Sequence, residues 1–145
     1  MKTINCGFRG ITARNDLTGY GPTLYVNIGF DKSWSAGKIP IAGKHNVPAL
    51  IDTGAIECFI DSSLASELEL PISDRRELYG GLGKNQVYVY LAQVFVPTLG
   101  FTQHGQFAGV HLAGGFHARV LMGRTFLEKF KMLYDGPSGR VTLTG

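Results

Sequence analysis

The chain has 145 residues, 44% hydrophobic and 17% charged, which is enough apolar material for one packed domain over 1–145. It holds no run of about 18 apolar residues, so a membrane span is not expected, and its scattered Lys and Arg with a net charge of +3 do not point to nucleic acid. The start, Met1-Lys2-Thr3-Ile4-Asn5-Cys6-Gly7, lacks the apolar stretch of a secretory leader, and Cys6 and Cys58 make a poor disulfide framework, so a cytoplasmic setting with reduced thiols is expected.

Twenty glycines fall among runs rich in Val, Ile, Leu, Tyr and Phe, the pattern of a turn-rich all-β protein. About the first eighteen residues show no sustained period, and 1–22 read as an irregular N-terminal extension. Thr23–Phe30 alternates, with Leu24, Val26, Ile28 and Phe30 on one face, and predicts a strand. Asp31–Asn46 reads as loop around a short strand at Lys38–Ala42. Val47–Ile51 is a compact apolar run ending at Asp52-Thr53-Gly54, and Ile56–Ile60 is a second one. Asp61 or Ser62 can cap a short helix running to Leu70, closed by Pro71. Gln86–Val96, Phe107–Leu112 and His117–Met122 read as strands. Phe126, Leu127 and Phe130 stand at helical spacing within Arg124–Lys131. The tail reads as a hairpin turning at Gly136-Pro137-Ser138-Gly139.

Asp52-Thr53-Gly54-Ala55 sits between two apolar runs, a setting that suits a carboxylate held rigidly at a buried strand end. Thr53 offers a hydroxyl and Gly54 permits close approach of another chain. Asp and Gly are also common in plain turns, so the tripeptide alone is weak. Two further segments add weight. Tyr79-Gly80-Gly81-Leu82-Gly83-Lys84 is a Gly-rich hairpin tip, and Val120-Leu121-Met122-Gly123-Arg124 is an apolar strand running into Gly-Arg at a helix start.

With these three segments, in this order, the chain resembles the retroviral-type aspartic proteases, the retropepsins, over about Val47–Arg140. The helix after the active-site loop is similar to cellular and bacterial relatives rather than to the smallest viral enzymes. The resemblance implies a closed retropepsin-like β-barrel with one or two short helices, working as a homodimer. Asp52 is then the catalytic carboxylate, and Thr53, Gly54 and Ala55 complete the active-site loop. Tyr79, Gly80, Gly81, Leu82 and Gly83 form a flap over the substrate, and Gly123 and Arg124 pack behind the loop. Ile56 stands where many viral members carry the acidic partner of the Arg, which makes Glu57 the candidate substitute; Thr125 stands where Asp or Asn is common.

The implied function is aspartic endopeptidase. Two Asp52 carboxylates, one from each chain, share a proton and activate water against a peptide carbonyl. No cofactor or metal is required. His104, His111 and His117 match no standard ligand spacing, and Gly80-Gly81-Leu82-Gly83-Lys84 lacks the ending of a phosphate loop. The alternative is a catalytically silent module of the same fold that dimerises or binds peptides. Val141 and Leu143 are candidates for pairing across the dimer axis.

Overall fold

The computed structural model describes residues 1–80, 83–112 and 114–145. Along the chain run β1 (Thr3–Asn5), α1 (Ala13–Tyr20), β2 (Thr23–Gly29), β3 (Lys44–Ile51), β4 (Phe59–Asp61) and α2 (Ser62–Glu67). Then come β5 (Ile72–Gly80), β6 (Gly83–Val96), β7 (Phe101–Val110), β8 (Val120–Met122), α3 (Arg124–Leu127), β9 (Lys131–Asp135) and β10 (Arg140–Thr144). None of the described helices is long and apolar enough to cross a membrane.

Period-two alternation builds the barrel. Leu24, Val26 and Ile28 of β2 are at most 1% exposed, whereas Tyr25 between them is 62% exposed. In β3 the inward set is Val47, Ala49 and Ile51. The strands follow the order β2-β3-β8-β4-β7-β6, and β6 returns to β2 through Asn27↔Phe95, Ile28↔Val94 and Gly29↔Gln93, which closes the sheet on itself. Closure removes the exposed edges that an open sheet would leave. β3–β8 and β4–β7 are parallel pairs and the others in the ring are antiparallel. β5 hangs outside the ring, paired to β6 alone among the described strands.

Several elements differ from the sequence reading. The first 22 residues are not irregular: β1 pairs with β10, and α1 buries Ala13 and Leu17, one turn apart. With α1 there are three helices among the described residues, not one or two. No strand forms at Lys38–Ala42. That stretch belongs to a loop lying over the barrel wall, where the Gln93 side-chain amide bonds both the N–H and the carbonyl of Asp31 and the Trp34 ring packs at a tilt against His104. α2 stops at Glu67 rather than Leu70, because Glu69 adopts a left-handed φ of 51° and the Leu70 N–H turns back to the Ala65 carbonyl. α3 is a single turn that plugs Phe126 into the core, where its ring meets Phe101 and Phe130.

The tail hairpin of β9 and β10 forms as expected, but β10 is the middle strand of a small sheet, β1-β10-β9. Val141 and Leu143 are fully buried, and the backbone of β10 is paired within the chain on both edges. They are core residues and do not offer a strand edge to a second chain.

Candidate active site

β3 and β4 are not neighbours, since β8 lies between them and pairs with both. The chain that leaves β3 at Ile51 must therefore cross the end of β8 to reach Phe59, a span of about 10 Å at two strand spacings. Asp52 to Cys58 make that crossing, and the crossing is stapled at almost every step. The Asp52 N–H donates to the Met122 carbonyl at 2.9 Å, and the Ile51 N–H to the Pro22 carbonyl at 2.9 Å. From the other side, the N–H groups of Arg124 and Thr125 donate to the carbonyls of Ala55 and Ile56, each at 2.9 Å. The Arg124 guanidinium reaches the Thr53 carbonyl at 2.6 Å.

Gly123 explains how the two segments come so close. A Cβ there would overlap the Glu57 carbonyl oxygen and lie 2.9 Å from the Ala55 carbonyl oxygen, both backbone atoms with nowhere to go. The apolar-Gly-Arg signature thus has a physical content: the strand fixes the carbonyl that holds Asp52, the glycine admits the loop, and the arginine ties its tip.

At the tip, Asp52 is partly buried, and its Oδ1 accepts from the Gly54 N–H at 3.0 Å. That bond orients the carboxylate without a charged partner. Thr53 and Gly54 are exposed, Ala55 is partly buried, and Ile56 is 70% exposed beside them. The loop therefore presents a carboxylate, a hydroxyl, a bare backbone and an apolar side chain on one open surface.

Glu57, a candidate partner for Arg124, is paired elsewhere. Its carboxylate accepts two bonds from Arg76 of β5, Nη1 to Oε1 at 3.1 Å and Nη2 to Oε2 at 2.8 Å. Arg76 carried no signal in the sequence reading, because β5 itself was not recognised. Its contact shows that the β5–β6 hairpin runs beside the crossing loop. Of the residues assigned to the flap tip, Gly80 and Gly83 are the last pair of that hairpin, Tyr79 pairs with Lys84, and Gly81 and Leu82 lie outside the described residues.

Asp61, one of the two cap candidates for α2, is its N-cap residue and also a buried acid at the opposite end of β8 whose ion pair the sequence does not reveal. Asp61 is 4% exposed, and its Oδ2 accepts from Arg119 Nε at 2.8 Å and from the Ser63 hydroxyl at 2.7 Å. Burial raises its pKa, but the bonds from Ser63, Arg119 and the Leu112 N–H, with the charge of Arg119, outweigh burial and leave it below the ordinary carboxylate value. Full pairing marks it as structural. Both cysteines are free and buried. Burial pushes the Cys6 thiol up to about 12 and raises that of Cys58, so neither is a nucleophile. Among the described residues no group of three or more His, Cys, Asp or Glu is placed to hold a metal ion.

A closed barrel carrying an Asp-Thr-Gly loop over a Gly-Arg segment is the architecture of a retropepsin-like aspartic protease. Residues 37–126, more than half of the chain, match the family described as aspartyl protease, and the chain belongs to that family. A crystal structure of a retropepsin-like aspartic protease from Rickettsia conorii aligns with a TM-score of 0.54 over 97% of this chain and 89% of that one. At 17% identity the likeness is one of fold. None of the curated proteins matches the sequence.

Proposed function

We propose that the chain is an aspartic endopeptidase that cleaves peptide bonds with a water activated by two Asp52 carboxylates, one from each copy of a homodimer. The observation that carries this reading is the stapled Asp52–Glu57 crossing, which in an aspartyl protease family member holds one carboxylate on an open surface. Each chain has a single Asp-Thr-Gly, so a monomer has half a dyad. A two-fold pair is the simplest closed assembly that supplies the other half.

Two carboxylates a few ångströms apart cannot both ionise, so the pair shares one proton, as is general for aspartic proteases. The ionised member takes a proton from water as its oxygen attacks the peptide carbonyl, and the protonated member donates to the carbonyl oxygen. As the tetrahedral species collapses, the proton taken from water passes to the leaving nitrogen, the C–N bond breaks to release the amine, and a diol hydroxyl returns one proton to the pair. Thr53 and Gly54, exposed at the tip, are the groups that would meet the partner loop and the peptide backbone. Ala55 completes the loop, and Gly123 and Arg124 support it. The hairpin tip, Tyr79 to Gly83, acts as the flap. No metal or cofactor takes part.

Asp52→Asn keeps the shape of the loop and removes the charge, so a folded variant should lose peptide cleavage by about a thousandfold or more. Cleavage at the wild-type rate would reject the assignment. Mixing tests the shared dyad. After exchange with an equal amount of Asp52→Asn chains, about half of the wild-type chains sit in mixed dimers, and activity should fall to about half. Activity that ignores added mutant, with exchange demonstrated, would mean that each chain works alone.

A further inference from the structure

Two consecutive arginines on β5 do different things because a strand sends neighbouring side chains to opposite faces. Arg75 stays within the hairpin: its guanidinium lies 5.0 Å over the ring of Tyr88, its register partner, and Nη2 donates to the Tyr88 hydroxyl at 3.1 Å. Arg76 leaves the hairpin and grips Glu57 with both ends of its fork. The anchor it finds is firm. The Ile56 carbonyl, just before Glu57, is bonded to the Thr125 N–H, and the Glu57 carbonyl packs against Gly123.

The hairpin needs such an anchor. β5 has one strand neighbour, β6, and its base is tied through the Pro71 carbonyl, bonded to Leu91, and the Ser73 hydroxyl, bonded to the Val89 carbonyl. From Arg76 to the last described pair, Gly80↔Gly83, the hairpin projects four residues, about 13 Å. A small rotation at the base becomes a large displacement at that tip. With side chains 35% and 28% exposed, Arg76 and Glu57 are shielded enough for a two-pronged charged contact to hold its geometry.

We infer that Arg76, acting through Glu57, is a positioning residue that sets the height of the hairpin over Asp52 and so governs how tightly a peptide is held. The inference rests on the reading of this hairpin as a flap. The residues that touch the peptide are left unchanged by it; what it adds is a register device linking the rigid loop to its cover.

The test combines kinetics with backbone amide exchange. Arg76→Ala should raise KM for a peptide by about tenfold while kcat changes by no more than about threefold, since the dyad is untouched. Amide exchange across residues 74–88 should quicken by about tenfold while exchange at Asp52–Cys58 stays at the wild-type level. The reversed pair, Glu57→Arg with Arg76→Glu, should bring both measurements back toward wild type, which loss of packing alone would not. Arg76→Ala with KM and hairpin exchange both within about twofold of wild type would overturn the inference, as would a reversed pair no better than either single variant. If wild-type protein cleaves no peptide at all, the protease reading fails, and the exchange arm still decides the tether: faster exchange in Arg76→Ala upholds it and unchanged exchange rejects it.

Discussion

The crossing loop and the hairpin beside it are built on opposite plans. Asp52–Cys58 is held by backbone bonds to β8, α3 and β7, and lies against Gly123, where a Cβ would meet its backbone. The hairpin adds β5 outside a closed barrel; among the described residues β5 has one strand neighbour, with side-chain contacts of Arg76 to Glu57 and Ser73 to Gln106. Backbone staples repeated over six residues fix a carboxylate to within the tolerance that chemistry needs. On the proposed reading of the hairpin as a flap, a cover that must open for a peptide needs the reverse, a few contacts that can be made and broken. The difference teaches that rigidity here is distributed by bond type: at the carboxylate mainly main chain to main chain, with the Arg124 guanidinium on the Thr53 carbonyl, and between β5 and the loop side chain to side chain.

The largest blow to the rigid half is Gly123→Ala. Its φ of −87° suits any residue, so the cost is purely steric, a methyl driven against the Glu57 and Ala55 carbonyls. The loop must lift, and the variant should lose about 3 kcal/mol of stability in chemical denaturation. Peptide cleavage should fall by about a hundredfold as Asp52 moves off its position. Full activity with unchanged stability would mean that the loop is not held as described.

At the other end of β8, Asp61 and Arg119 hold the frame beneath the loop rather than the loop itself. Arg119→Met removes the charge that compensates a buried carboxylate and should cost about 2 kcal/mol near neutral pH. Asp61 has its pKa lowered in the folded chain, so its contribution is complete above the ordinary carboxylate value of 3.8 and is lost as pH falls through the lowered value. Without Arg119 the buried Asp61 carboxylate takes up a proton at a higher pH than in wild type, so the gap in melting temperature between wild type and Arg119→Met should be full near neutral pH and shrink as pH falls, until Asp61 is protonated in both folded forms. A gap of constant size into acid would show that packing of the Arg stem, not charge, is what matters.

How much of this could be read beforehand follows from sequence separation and burial. Asp52 to Ala55 are contiguous, and the runs before Asp52 and Gly123 are unbroken apolar segments because β3 and β8 lie inside the ring, so pattern alone reveals them. β2 shows its alternation because one face is core and the other carries Tyr25. β5 hides: Ser73-Asp74-Arg75-Arg76-Glu77 packs no apolar face into the core, so there is no period to detect. β1 is three residues long, and α1 shows only Ala13 and Leu17 to the core. The two ion pairs join residues 19 and 58 apart in sequence, separations set by topology that no local spacing rule reaches. The resemblance makes Glu57 no more than a candidate partner for Arg124, and the structure pairs it with Arg76 on β5, a strand that the resemblance does not locate.

The smallest effect sharpens the contrast between the two halves most directly. Arg75 and Arg76 are neighbours of equal charge on the same edge strand, so replacing either with Ala removes the same charge from nearly the same place. Arg75 clips β5 to β6 through Tyr88. A cation over an exposed ring contributes about 0.5 kcal/mol, so Arg75→Ala should lower the melting temperature slightly. It should leave KM within about twofold of wild type, because the height of the hairpin is set from its other face. If Arg75→Ala instead raises KM as far as Arg76→Ala does, the positive charge of β5 acts on the peptide through space and the tether to Glu57 is incidental. If both leave KM unchanged, the hairpin holds its place by its own ladder, and the division between a fixed loop and a tethered cover does not describe this protein.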